Sequence, residues 1–330
     1  LDESRFVGRK IQFPCPKCKK PIVLDLTVEK KNVEELEEDS SISNQFENLL
    51  KKMDELPTLP IVVQKILALI NDPKSTIKQV GKIINSDQSL TAKTLKLVNS
   101  AYYGFEKRIR TVDQAIIIIG FDAVKNLALS ASVFEMFKNV KQQSNFQRDE
   151  FWLHAMGTAI AAKMISEDTN IGIPGELFVS GLIHDIGKVV LDSFFPDRMN
   201  NILYNASLKK MPFIEAEREI MDIDHTIIGY KLAKKWNLPE ELIYPIKYHH
   251  DFETGIRHEN LISVIHVANI VVKVAKVGFD GDSSSPKLNM KAINSIKKFK
   301  PDFNKSDIQK YVKQLQEKMK DNDLISIAMG

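Results

Sequence analysis

The spacing of apolar residues from position 45 onward limits this chain more than any other feature. Within 61–70, the residues Ile61, Val62, Ile66, Leu69 and Ile70 fall on one face of a helix. Similar spacing returns in 90–98 and in almost every later segment, and no convincing run after residue 45 alternates as a half-buried strand does. The punctuation agrees. Thr76 with Gln79, and Thr111 with Gln114, have the form of capping boxes. Asn71-Asp72-Pro73 breaks one helix and Gly120 stops another. Ile116 to Ile119 is β-rich in composition, but the cap before it and the glycine after it favour a buried helix. Further helices are expected over 121–137, 149–166, 177–192, 199–209, 213–221, 226–236, 239–248 and 260–276. The expected fold is all-α.

Composition narrows the class. At about 150 residues per domain, 330 residues suggest two units. A hydrophobic content of 43% excludes disorder throughout, and 46 basic against 43 acidic residues exclude a histone-like protein and an acidic activator. Two cysteines cannot build a disulfide framework, which points to the cytoplasm. No apolar run reaches the roughly 18–20 residues of a membrane span, and no basic-then-apolar leader opens the chain. A soluble cytoplasmic protein without a membrane partner is expected. Its first residue is Leu1 rather than Met, as in a trimmed or partial chain.

Four stretches follow. Residues 1–28 form a knuckle-like segment, irregular or a β-hairpin, with Pro14, Pro16 and Pro21 around Cys15 and Cys18. Residues 29–44 read as a linker, because eight of the first eleven are charged and Ser40, Ser41 and Ser43 follow. Residues 45–280 make the helical core, with lobes at 45–140 and 141–280 joined in the polar run Lys141-Gln142-Gln143-Ser144-Asn145. Residues 281–330 read as a solvated, lysine-rich helical tail; the segment 287–330 holds ten lysines against five acids. It lacks arginine and clustered aromatics, which argues against a nucleic-acid arm. Proteases are expected to cut first within 29–43 and 278–286.

Cys15-Pro16-Lys17-Cys18 has the spacing of a zinc knuckle, but structural zinc wants four ligands and no second pair exists. Three readings stay open: a relic half-ribbon, a redox dithiol, or a zinc shared between two chains of a homodimer.

All seven histidines lie between residues 150 and 270. His184-Asp185 sits in an apolar stretch with Lys188 one turn later, where an unpaired carboxylate would cost several kcal/mol. A buried Asp–Lys pair satisfies that cost, and so does a metal. Glu150 and His154 are four apart on one helix face; His225 opens a helix; His249-His250 closes another; His266 and Asn269 are three apart. His258 lies in a charged loop and is expected to be exposed. Several helices can thus bring ligands to one point in a bundle.

Residues 56–130 resemble the HDOD domain, a regulatory relative of the HD and HD-GYP metal-dependent phosphohydrolases. The resemblance rests on Leu56-Pro57-Thr58-Leu59-Pro60, Asn71-Asp72-Pro73, 83–90, 115–120 and the run Leu97-Val98-Asn99-Ser100-Ala101-Tyr102-Tyr103-Gly104. Phe151-Trp152-Leu153-His154, the stretch 181–188 and Trp236 to Pro239 with His249-His250 resemble the HD-like half. The resemblance implies two helical lobes and a bacterial signalling module acting through protein partners. It also implies a metal set of Glu150, His154, His184, Asp185, His225, His249 and His250; imidazole and carboxylate ligands suit divalent Fe, Mn, Ni or Zn. In the alternative, a metal-dependent phosphohydrolase, Asp185 works with the metal and Lys188 stabilises the developing negative charge. Two departures stand out: the final HD-type aspartate is Asn269, a weaker neutral ligand, and no Gly-Tyr-Pro follows His249-His250. Together the departures argue against cyclic-di-GMP hydrolysis, while metal binding is still expected.

Overall fold

Helices start where side chains can cap their free N–H groups. In the computed structural model, which describes residues 10–14, 21–25, 61–70, 76–99, 108–120, 124, 128, 129, 131 and 142–320, both expected caps are present. Gln79 Oε1 accepts from the Thr76 N–H at 2.7 Å, and Thr111 Oγ1 accepts from the Gln114 N–H at 3.1 Å.

The chain divides into two units, Leu1–Lys51 and Lys52–Gly330. In the first, β1 (Lys10–Pro14) and β2 (Pro21–Asp25) pair antiparallel, with Lys10 opposite Asp25 and Phe13 opposite Ile22. Cys15 and Cys18 fall between these strands and outside the described residues, as do the linker 29–44, most of 121–137 and residues 321–330.

The second unit opens with α1 (Ile61–Ile70), α2 (Ile77–Asn85), α3 (Gln88–Val98) and α4 (Val112–Ile119), which pack on one another. Asn99, at the end of α3, ties the next segment down. Its side chain donates to the Ile109 carbonyl at 2.7 Å and accepts from the Ile109 N–H at 2.7 Å. That gives the asparagine of the Leu-Val-Asn-Ser run a physical role, because one amide replaces a missing turn of backbone pairing.

The remaining helices are α5 (Arg148–Thr169), α6 (Pro174–Ile183), α7 (Ile186–Phe194), α8 (Pro196–Lys209), α9 (Phe213–Met221), α10 (His225–Lys235), α11 (Glu240–Tyr248), α12 (Glu259–Ala275), α13 (Met290–Lys297) and α14 (Lys305–Lys318). Helix α12 is central. It packs on α5, α6, α11, α13 and α14, and thirteen of its residues are buried. The single helix expected over 177–192 is two, broken at His184 and Asp185.

Three segments expected to be mobile are tied to the core at particular residues. The polar joint is pinned in its described part, because Ser144 and Arg148 both bind the fully buried Asp192, and Asn145 N–H donates to Asn200 Oδ1 at 2.8 Å. The loop 278–286 is anchored at its start, since Asp280 is 1% exposed, while Ser283 and Ser285 stay exposed. The lysine-rich tail is no solvated extension. Its described part folds as α13 and α14 against the core, burying Ile296, Phe303, Tyr311 and Leu315. Lysine count misleads here because the lysines occupy outer positions while every third or fourth residue is apolar.

Asp168 at the end of α5 holds α14 in place. It accepts from the Tyr311 hydroxyl, from Lys300 at 2.9 Å and from Lys310 at 3.3 Å. Burial alone would raise its pKa, but these three donors outweigh burial and lower it to about 2. A carboxyl whose folded pKa is depressed stabilises above its unfolded value and loses that contribution as pH falls through the folded one. The stability gap between wild type and Asp168→Asn, read as a urea midpoint, should be constant from pH 5 to 7. It should close between about pH 4 and pH 2. A gap that widens in acid would contradict the assignment.

Candidate metal centre

Five helices and one loop converge on Asp185. Helix α5 brings His154, and the break between α6 and α7 brings His184 and Asp185. The first residue of α10 is His225, and the end of α11 presents His249 and His250. Two glycines permit the approach. A Cβ on Gly187 would overlap the His225 carbonyl oxygen, so only glycine lets α7 touch the start of α10. Gly278 has φ 62°, and a Cβ there would run into the α5 backbone at Glu150 and His154. That contact delivers the Asp280 loop to the centre.

The imidazoles are oriented by partners on their far sides. His184 Nδ1 donates to the Gly181 carbonyl at 2.8 Å, and His249 Nδ1 donates to the Ile246 carbonyl at 3.0 Å. His225 Nδ1 meets Glu217 Oε2 at 2.5 Å. Each ring therefore turns Nε2 inward. His225 Nε2 lies 3.0 Å and His249 Nε2 3.2 Å from Asp185 Oδ1, and His184 Nε2 lies 3.4 Å from Asp185 Oδ2. The Nε2 atoms of His184 and His250 are buried without a hydrogen bond, and that of His225 sits at an angle that makes none. Nitrogens directed at one carboxylate, with their other ring nitrogens held from behind, are the arrangement of metal ligands.

Two overlapping groups result: Asp185, His225, His249 and His250, and His154, His184 and Asp185. Within each, the ligand atoms lie within 4.8 Å of one another. Asp185 belongs to both.

The charge state suits a cation. Burial lowers the pKa of His154, His184 and His250, so their lone pairs are free at neutral pH. Burial would also lower His225, but Glu217 outweighs it and raises His225 to about 9, so a metal must displace a proton from its Nε2. Asp185 is held well below the carboxylate range despite burial, through His184 and Lys188. Lys188 Nζ sits between Asp185 at 2.7 Å and Asp280 at 3.0 Å, and its ammonium lies 5.1 Å from the Phe213 ring centre. Lys273 completes the network at 3.1 Å from Asp280 and 2.8 Å from Asp282.

Of the residues expected at a metal, His154, His184, Asp185, His225, His249 and His250 come together, with Lys188 beside them. Glu150 does not. It joins neither group, and its backbone carbonyl instead accepts from the Phe279 N–H at 2.9 Å. Asn269 is 4% exposed on α12 between His266 and Lys273, and its Oδ1 is buried without a hydrogen bond. His266 supports the centre from behind: Nδ1 donates to the His249 carbonyl at 2.7 Å, and Nε2 accepts from the Asn289 N–H at 3.0 Å. His258 is partly covered rather than exposed, packing edge-on to Tyr244.

Sequence reasoning missed Glu217 and Asp280. Glu217 had a signal, because Phe213, Glu217 and Met221 share one buried helix face and a lone acid there needs a partner. Asp280 had none beyond the glycines around it.

Fold and centre together define a helical second unit with a buried histidine–aspartate cluster that could hold a divalent metal. The chain belongs to the HDOD domain family, whose model matches residues 56–252. An uncharacterized protein of Treponema pallidum (strain Nichols) is 27% identical over 228 residues, which cover 68% of this chain and 44% of that protein. This chain therefore spans less than half of that relative. A solved HDOD domain protein of unknown function from Geobacter sulfurreducens superposes with a TM-score of 0.73 at 26% identity, over 86% of this chain and 96% of the other. A protein from Shewanella amazonensis SB2B, named as a candidate phosphohydrolase, shares the fold at a TM-score of 0.66 and 21% identity, over 86% of this chain and 98% of its own. No described helix is long and apolar enough to cross a membrane.

Proposed function

We propose that the chain is a cytoplasmic signalling module of bacteria that binds divalent metal in its HD-like lobe and acts through protein partners. The observation that favours regulation over hydrolysis is the state of Lys188. This is the residue that would take up negative charge on a phosphoester, yet it is 1% exposed and engaged by two carboxylates. A charge already countered by Asp185 and Asp280 has little left for a phosphate. His154, His184, Asp185, His225, His249 and His250 would hold the metal, with Asn269 as a weak neutral neighbour. Imidazoles with one carboxylate suit Fe, Mn, Ni or Zn. Such an ion would supply Lewis-acid polarisation. The chain's own part is to hold each Nε2 inward and to keep water out.

Hydrolysis of a phosphodiester is the second reading, favoured by the retention of the His/Asp set itself. The test is metal analysis of protein purified without chelator or metal resin, followed by turnover of bis(p-nitrophenyl) phosphate. The regulatory reading expects bound metal and a rate equal to that of the His184→Ala/Asp185→Ala variant. Turnover that requires His184 and Asp185 would establish the second reading.

A further inference from the structure

Helices α12, α13 and α14 line a cavity of about 870 Å³. Its floor is apolar: Ile270 and Val274 from α12, Met290 and Ile293 from α13, Ile308 and Val312 from α14. It is a groove rather than a closed pocket, because Val274 and Met290 line it and remain 50% and 61% exposed. Val274 and Met290 thus leave the apolar floor open to side chains of a second molecule.

The rim indicates which molecule. Lys297, Lys305 and Lys313 line the groove, and no acidic residue does. Neighbouring lysines on the same elements are paired: Lys298 with Glu259, Lys300 with Asp168 and Asp307, Lys310 with Asp168. The three rim lysines have no carboxylate partner among the described residues. Three cations outside any ion pair around an apolar trough, Lys313 also bordering the pocket of Glu167, Asp168 and Glu317, complement a ligand that is apolar on one face and acidic beside it. The trough is lined by side chains of three helices, the geometry in which an amphipathic helix lays its anchors. Met290 supplies an adaptable contact.

We propose that this groove docks an acidic amphipathic helix of a protein partner. The inference names the kind of partner for the regulatory reading above and rests on it. The groove also has a route to the metal centre. Asn289, between the lining residues Leu288 and Met290, donates its N–H to His266, which in turn holds the His249 carbonyl.

The test uses the whole chain and a library of labelled 18-residue helices. These carry Leu, Ile or Phe at i, i+3, i+4 and i+7 and Glu or Asp elsewhere, with a matched set carrying Lys instead. Members of the acidic set should bind saturably, with Kd in the micromolar range, and weaken at least tenfold with Lys297→Glu/Lys305→Glu/Lys313→Glu. The lysine set should then bind that variant. These substitutions are at exposed positions; unchanged circular dichroism and metal content will show that the fold and the metal centre are intact, and the phosphodiester turnover assay above tests the regulatory reading separately. The proposal is overturned if no acidic helix binds below 1 mM, or if charge reversal leaves affinity unchanged. Equimolar displacement by palmitate would assign the groove to an acyl chain, and self-association lost on charge reversal would assign it to a second copy. Helix binding seen only after removal of residues 321–330 would assign it to the chain's own end. Each of these also overturns the proposal.

Discussion

Replacing His184 and Asp185 together by Ala should reduce bound divalent metal from about one equivalent or more to below about a tenth. The two residues connect both ligand groups, since Asp185 is common to them and His184 lies 3.4 Å from it. Without Asp185 the centre keeps several neutral imidazoles beside the Lys188 ammonium and loses the carboxylate that draws a cation in. The measurement is elemental analysis of chelator-free protein, with circular dichroism to show that the helices persist. His249→Gln serves as the gentler control, because it removes one ligand and leaves the Asp185–Lys188 pair intact. Metal content unchanged in the double variant would place the ion elsewhere, with Cys15 and Cys18 the first alternative.

Asp280→Asn should cost about 3 kcal/mol of stability, read as a lower urea midpoint. Asp280 is 1% exposed and stands between two ammonium groups, Lys188 at 3.0 Å and Lys273 at 3.1 Å. Both lysines pull its pKa far below the carboxylate range against a burial effect of opposite sign. Asparagine keeps the shape and removes the charge, leaving Lys188 with Asp185 alone and Lys273 with Asp282. The remaining excess of positive charge beside the centre should also weaken metal binding by about tenfold. A variant as stable as wild type, with full metal content, would show that the network is dispensable.

Much of the fold is legible because local rules and burial agree there. Thr76, Thr111 and Gly120 mark helix ends by chemistry that needs no tertiary context. The ligand histidines are legible for a related reason, since an imidazole inside an apolar helix run demands an explanation. What escapes is whatever depends on a distant contact. Glu150 shares a helix face with His154, and spacing alone makes it a ligand; the structure assigns the nearby carboxylate to Asp280, more than a hundred residues later, by letting Gly278 touch α5. The break at His184 and Asp185 is likewise hidden in an apolar stretch that reads as one helix. The lysine-rich end misleads because composition counts charges without noting that Ile308, Tyr311 and Leu315 face inward.

X-ray absorption at the metal edge of the wild-type protein tests the central claim most directly. The account predicts a shell of nitrogen and oxygen at about 2.0–2.2 Å, with the outer-shell pattern of several imidazoles and no sulfur. A shell dominated by sulfur near about 2.3 Å, or protein that takes up no metal at saturating concentration, would contradict it.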